Sequence, residues 1–392
     1  MIEISLDMFQ SAAAAAVVLV VGIYLVKRVP MLKRFCIPAA VIGGLLFSLV
    51  MLIFYSCDFM EITFDDTIKE IAMRVFFCSI GFMASISMIK SGGRMLLILI
   101  ALLIALVTLQ NFVGIFSVGL FDLDPKYGLA LGSISLCGGH GTAAAYGGIL
   151  VNDYGLVGAD VVCIASATFG LAIAGFIGGP LARNLVRRYG LKPTSNDMEL
   201  QSEIDVSLDD RRVLNAVVIL AACIGLGTLL NMAFDAVDIA VPSYLGGMLV
   251  ALFCRTVTDK IGYELPLKEL ETIGWVSLCI FLSMALMAIK LWQLADLAFA
   301  MVFTLLIQTV ILIVFVYYIV FRATGKNYES AAFVAGVSGF GMGATPNAVA
   351  NLEALTNEHG PAPVAYFLIP IMGGVFLDFI NMGILTAFLN LL

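Results

Sequence analysis

The stretch Ser338-Gly339-Phe340-Gly341-Met342-Gly343-Ala344-Thr345-Pro346-Asn347 lies inside an apolar sequence and interrupts it. Its alternating glycines are poor helix formers and open backbone angles that other residues avoid. Thr345 has the chemistry of an N-cap and Pro346 that of a first helical residue, so the pattern predicts a helix restarting at Asn347. Inside a bilayer a broken backbone persists only where protein surrounds it or where it lines a wet cavity. A ligand is to be sought there.

Half a chain earlier, Gly138-Gly139-His140-Gly141-Thr142-Ala143 is again glycine-rich and set between apolar runs. Gly139 and Gly141 precede Gly341 and Gly343 by 202 residues, close to half of the 392. Ile37-Pro38 with Gly43-Gly44 returns as Val241-Pro242 with Gly246-Gly247, and Leu109-Gln110-Asn111 as Ile307-Gln308-Thr309. Three echoes in one order predict a duplicated unit.

The chain is 61% hydrophobic and 12% charged, with a mean hydropathy of +1.05. Ordinary soluble domains carry about 25% charged residues. Several apolar runs reach the ~20 residues that cross a bilayer as a helix. These features predict a polytopic, all-α membrane protein. The eight cysteines are scattered singly and read as small apolar fillers. The acidic start through Asp7 is unlike a signal-peptide n-region, so the run from Ser11 is expected to stay as the first span.

Lys and Arg favour cytoplasmic loops, and they set the expected course of the chain. Spans over 9–26, 36–56, 69–89 and 95–121 alternate between basic ends (Lys27, Arg28, Lys33, Arg34; Lys90, Arg94) and acidic ones (Asp58, Glu61, Asp65, Asp66; Asp122, Asp124). The next basic cluster, Arg183, Arg187, Arg188 and Lys192, requires an odd number of crossings after residue 126. The run 128–150 is therefore read as a re-entrant hairpin dipping from outside, and 156–181 as the fifth span. Residues 189–211 form a polar cytoplasmic linker. Five more spans follow, over 213–234, 240–256, 271–290, 295–321 and 363–389, with a second hairpin over 331–352 entering from the cytoplasm. The expectation is about ten spans in two inverted five-helix repeats, 1–188 and 212–392, each with a re-entrant hairpin and with both termini outside. This is the plan of a secondary transporter.

Helix N-termini at the two hairpin tips would aim N–H groups and positive dipole ends inward, a natural site for carboxylates. The candidate substrate-binding residues are Gly138, Gly139, His140, Gly141 and Thr142, with Gly341, Gly343, Ala344, Thr345 and Asn347. A plain packing role for small residues is the alternative. Asp378 sits in the last span, where a carboxylate costs about 2.5–3.5 kcal/mol on insertion scales. With Asn381 one turn later it is a candidate for a cation or a substrate ammonium. Ser133, Ser135 and Thr168 offer hydroxyl oxygens to Na+, or bond back to their own helix. Gln110, Asn111 and Gln308 suit interhelical hydrogen bonds. Arg74 and Asp160 lie near span ends and reach towards the interface.

Gly339-x-Gly341-x-x-Ala344 matches a dinucleotide fingerprint only by accident, since that motif needs a soluble strand–turn–helix unit. ATPase and common hydrolase motifs are not found, so neither an ATP-driven pump nor an enzyme is expected.

The chain resembles the bacterial glutamate:sodium symporters. Gly138-Gly139-His140-Gly141-Thr142, Ala167-Thr168-Phe169-Gly170, Gly178-Gly179-Pro180 and Trp275-Val276-Ser277-Leu278 carry the likeness. So do Met284-Ala285-Leu286-Met287 through Leu291-Trp292, Gly325-Lys326-Asn327-Tyr328 and Gly339 through Pro346. Asp378 falls at the family's acidic position, while Cys137 and Asn347 depart from its pattern. The resemblance implies Na+-coupled uptake of glutamate across the inner membrane, with Na+ as coupling ion and no organic cofactor. It also implies a homodimer with static scaffold spans and a moving core that carries both hairpins, with no nucleic-acid partner. A Na+- or H+-coupled carrier of another dicarboxylate, or an anion channel, is the alternative.

Overall fold

The computed structural model describes residues 2–29, 38–83, 93–193, 209–236, 242–292 and 297–392. Lys33, Arg34, Cys36, Lys90 and most of the expected 189–211 linker lie outside the described residues. The described chain is helical apart from one short parallel strand pair, β1 (Ile2–Ser5) with β2 (Met60–Thr63). It divides into two compact units, and each draws on both halves of the sequence.

The first unit takes Met1–Lys33, Ile37–Ser91 and Ile204–Trp292. It holds α1 (Met8–Arg28), α2 (Ala39–Ser56), α3 (Thr67–Met83), α9 (Asp210–Asp235), α10 (Leu245–Ile261) and α11 (Leu267–Met287). Asp7 starts α1 through a capping box with Gln10, satisfying N–H groups that have no partner within the helix. Gly22 on α1 abuts the Ala39 carbonyl, and Gly43 on α2 abuts the Val18 carbonyl, so a side chain at either would hold these helices apart. Cys78, Phe82, Ala216, Leu220, Cys223, Ala251, Leu265 and Leu270 form one apolar core. Cys78 and Cys223 fill small spaces within it.

The second unit takes Arg34–Cys36, Gly92–Glu203 and Gln293–Leu392. It holds α4 (Gly93–Gly119), α5 (Pro125–Ala130), α6 (Ser133–Leu136), α7 (Gly139–Asn152) and α8 (Ala159–Tyr189). Later in the chain come α12 (Ala298–Ala323), α13 (Tyr328–Phe340), α14 (Thr345–His359) and α15 (Pro363–Leu391). Helix α13 packs on α14, and both pack on α8. Two π-helical segments, Phe315–Val320 in α12 and Met372–Phe376 in α15, were not foreseen. Pro370 lies inside α15, two residues before the second segment.

Among the described residues, eight helices are long and apolar enough to cross a membrane: α1, α2, α4, α8, α9, α11, α12 and α15. The chain is a polytopic helical membrane protein. Helices α3 and α10 have 17 residues each, so they run about 26 Å, a little under a ~30 Å hydrocarbon core.

Candidate functional site

Both glycine-rich stretches lie in the second unit, and the fold brings them together. Gly139 has a φ of +61°, a conformation that favours glycine, and a Cβ there would lie 3.3 Å from the Gly343 carbonyl oxygen. The first stretch separates α6 from α7, and the second separates α13 from α14. Helix α7 begins at Gly139, with Gly138 as its cap. Helix α14 begins at Thr345, with Ala344 as its cap in extended conformation. Thr345 therefore is not the cap, and the helix opens two residues ahead of Asn347. Pro346 fits the first turn, whose N–H groups have no helical partner to lose.

The break between α13 and α14 is held from several sides. Gln110 on α4 donates from Nε2 to the Gly341 carbonyl at 2.7 Å. The Cys137 thiol donates to Gln110 Oε1 at 3.1 Å and approaches the Gly341 carbonyl at 3.5 Å. Gln308 Nε2 donates to the Gln110 carbonyl at 2.7 Å. Gly170 on α8 abuts the Met342 carbonyl so closely that a side chain there would displace it. Asn347 Nδ2 donates to the Leu171 carbonyl and Asn351 Nδ2 to the Ala174 carbonyl, each at 3.0 Å. The contacts to the Gly341 carbonyl supply a partner that an interrupted backbone must have in the absence of water, and the two asparagines tie α14 to α8.

The first stretch is fixed in a similar way. Asn111 Oδ1 accepts from the Ser133 N–H at 3.0 Å, and Asn381 Nδ2 donates to the Ser133 carbonyl at 3.0 Å. His140 lies in the first turn of α7, buried, with Nε2 3.0 Å from Thr168 Oγ1. Thr168 gives its own proton to the Ile164 carbonyl at 2.9 Å, so it accepts from His140, and the ring proton sits on Nε2.

The candidate residues fall into neighbourhoods within this unit. Gly138, Gly139, His140, Gly141 and Thr142 occupy the cap and first turn of α7. Gly341 and Gly343 lie between α13 and α14, while Ala344, Thr345 and Asn347 form the cap and first turn of α14. Gly373, in the π-helical segment of α15, faces Thr345, with Oγ1 2.8 Å from where a Cβ would stand. Asp378 is half-buried one turn before Asn381 in the same helix, and Asn381 meets the Ser133 segment. Thr168 joins His140, whereas Ser135 bonds back to the Ala130 carbonyl at 2.6 Å. Asn381 Oδ1, Ser133 Oγ and Asn347 Oδ1 are buried oxygens with no protein partner. Such oxygens suit a hard cation or an ammonium. Among the described residues there is no cluster of three or more His, Cys, Asp or Glu that would hold a transition metal.

Gln110, Gly170 and Asn351 hold the site in place, though none was among the candidate site residues read from the sequence. Gln110 was legible as an interhelical hydrogen bonder, and Gly170 only as part of the Ala167–Gly170 resemblance. Nothing in the sequence marks Asn351.

Comparison with known proteins agrees over almost the whole chain. Residues 4–361 match a family model described as sodium/glutamate symporter. The sodium/glutamate symporter of Escherichia coli (strain K12) is 35% identical over 396 residues, covering 98% of each chain. That of Haemophilus influenzae is 34% identical over 388 residues, covering 97% of this chain and 96% of its own.

Proposed function

This chain belongs to the sodium/glutamate symporter family, and we propose that it couples Na+ entry to glutamate uptake by alternating access. The observation that carries the reading is the meeting of Gly139 with the Gly343 carbonyl. Two backbone breaks, each followed by a helix N-terminus, come together inside one compact unit. Glutamate carries two carboxylates and one ammonium. The first-turn N–H groups of α7 and α14 suit the carboxylates. Asp378, Asn381 Oδ1 and the hydroxyls of Ser135 and Thr168 suit the ammonium and Na+. Each net positive charge entering gains about 2.3 kcal/mol per 100 mV, so Na+ can drive uphill uptake with no covalent chemistry.

We read α5–α7 and α13–α14 as two re-entrant hairpins entering from opposite sides, in inverted halves of five spans each. On this reading α3 and α10 complete a count of ten. The unit that holds both breaks is the moving core of an elevator-type carrier, and the first unit is its scaffold in a homodimer. The division into two units, each taking elements from both halves, supports this assignment. Labelled glutamate uptake by proteoliposomes tests the function. An inward Na+ gradient should drive accumulation, and an equal Na+ concentration on both sides should abolish it. Flux indifferent to the gradient would instead mark a channel.

A further inference from the structure

In the first unit, remote in sequence from the residues above, a crevice of about 410 Å³ opens beside α3 and α9. Asp66, Thr67, Glu70, Ile71, Arg74 and Ile224 line it. On the other side of Arg74 and Ile224, Thr228, Ser243 and Tyr244 leave only a gap too narrow for a water molecule. Arg74 lies seven residues into α3, about 10 Å along the helix from its start.

The crevice wall carries two carboxylates, Asp66 and Glu70, and one guanidinium, Arg74, with Lys69 adjoining it. Lys69 holds Asp66 at 2.7 Å, and Arg74 meets Glu70 only loosely, at 3.9 Å. Arg74 therefore has guanidinium donors to offer, and the Glu70 carboxylate is largely exposed. The Thr67 N–H donates to Asp65 Oδ1 at 2.9 Å, and hydrogen bonding from Thr67 holds the Asp65 carboxyl below its usual range. Thr228 gives its proton to the Gly225 carbonyl at 2.7 Å. Arg74 is thus the group suited to bind a phosphate, in the bidentate geometry that guanidinium allows. A purely anionic headgroup would also meet Glu70 and Asp66. A quaternary ammonium has no N–H to give them. A primary ammonium has three. Ile71, itself largely exposed, and Ile224 give the crevice an apolar wall, where an acyl chain can lie.

We infer that this crevice binds a membrane lipid whose headgroup is a primary-amine zwitterion, with its phosphate on Arg74 and its ammonium at Glu70. The site is independent of the transport reading.

The test uses the full-length protein, delipidated in detergent and titrated with short-chain phosphatidylethanolamine, phosphatidylcholine or phosphatidylglycerol, with native mass spectrometry counting bound lipid. Soluble glycerophosphoethanolamine is the fourth probe. The ethanolamine lipid should bind about tenfold more tightly than the other two lipids, the worth of one charge-assisted hydrogen bond. Arg74→Gln should weaken every phospholipid, whereas Glu70→Gln should erase only the ethanolamine preference. Equal binding of all three lipids overturns the proposal, as does a preference that survives Glu70→Gln. Glycerophosphoethanolamine binding as tightly as the lipid would overturn the lipid assignment in favour of a soluble zwitterion. If Arg74→Gln does not fold, the ethanolamine-to-choline ratio in wild type and Glu70→Gln still decides.

Discussion

Gln110 and Gly341 are 231 residues apart in sequence, and their 2.7 Å hydrogen bond fixes the break on which the candidate site depends. The Gly341 carbonyl lies just past α13, where the helix can no longer supply a donor. Gln110→Leu keeps the volume and removes that donor, leaving the long Cys137 contact as its remaining side-chain partner in the described structure. The expected cost is about 1–3 kcal/mol, because a buried acceptor left bare bears its desolvation penalty with no bond in return. Thermal unfolding in detergent should show a lower midpoint, and uptake should fall more steeply than the amount of folded protein. An unchanged midpoint would place the support of this break elsewhere.

The course of the chain through the membrane has a direct check. In a cysteine-free background, a single cysteine at the exposed position Asp124 should react with an impermeant thiol reagent from outside. One at exposed Lys326 should react only from the cytoplasm. The motive is the alternation of acidic and basic loops. Reaction of both from the same side would break the inverted arrangement, whatever happened to transport.

Much of this molecule is legible in its sequence, for reasons that differ from part to part. Apolar length fixes α1 and α4 to within a few residues, because a bilayer tolerates few polar groups in any spanning segment. The glycine stretches mark the breaks because no other residue type gives up a helix so readily. The strand pair escapes notice, since Ile2-Glu3-Ile4-Ser5 is too short to show a convincing alternation and its partner lies beyond two helices. The start of α14 shifts from Asn347 to Thr345, because Pro346 is tolerated at either of the first two helical positions. Asn351 could not be found, since its value lies in the Ala174 carbonyl across the fold and not in its neighbours.

Asp378 offers a test of cation coupling. It is half-buried in α15, just after the π-helical segment and one turn before Asn381. Asp378→Asn keeps the size and removes the charge. If the carboxylate meets Na+, half-saturation should require about tenfold more Na+ or higher, with the protein still folded and glutamate still bound at saturating Na+. The Na+ dependence of initial uptake rates, with melting curves for the same preparations, gives the answer. A normal Na+ dependence in a transporting variant would remove Asp378 from the coordination shell. Loss of folding alone would mark it as structural.

Whether the two breaks form a single binding site can be asked chemically. Ala348 is fully buried against Gly339, so a cysteine there would be hidden for reasons unrelated to substrate. Ala144 and Ala344 are half-buried beside the two helix starts and make better probes. Cysteine at each should be blocked by thiol reagents, and glutamate with Na+ should slow the reaction at both. If the halves are inverted, an impermeant reagent should reach residue 144 more readily from outside and residue 344 from the cytoplasm. Gly139→Ala supplies the structural control. Its φ of +61° is strained for alanine and the added methyl would press on the Gly343 carbonyl, so transport should drop by an order of magnitude or more. That loss alone would not identify a site, since any misfit where the breaks meet could cause it. Protection by substrate at positions in separate halves of the sequence has no such trivial source. An absence of protection at both, with Na+-driven uptake intact, would move the substrate away from the two helix ends.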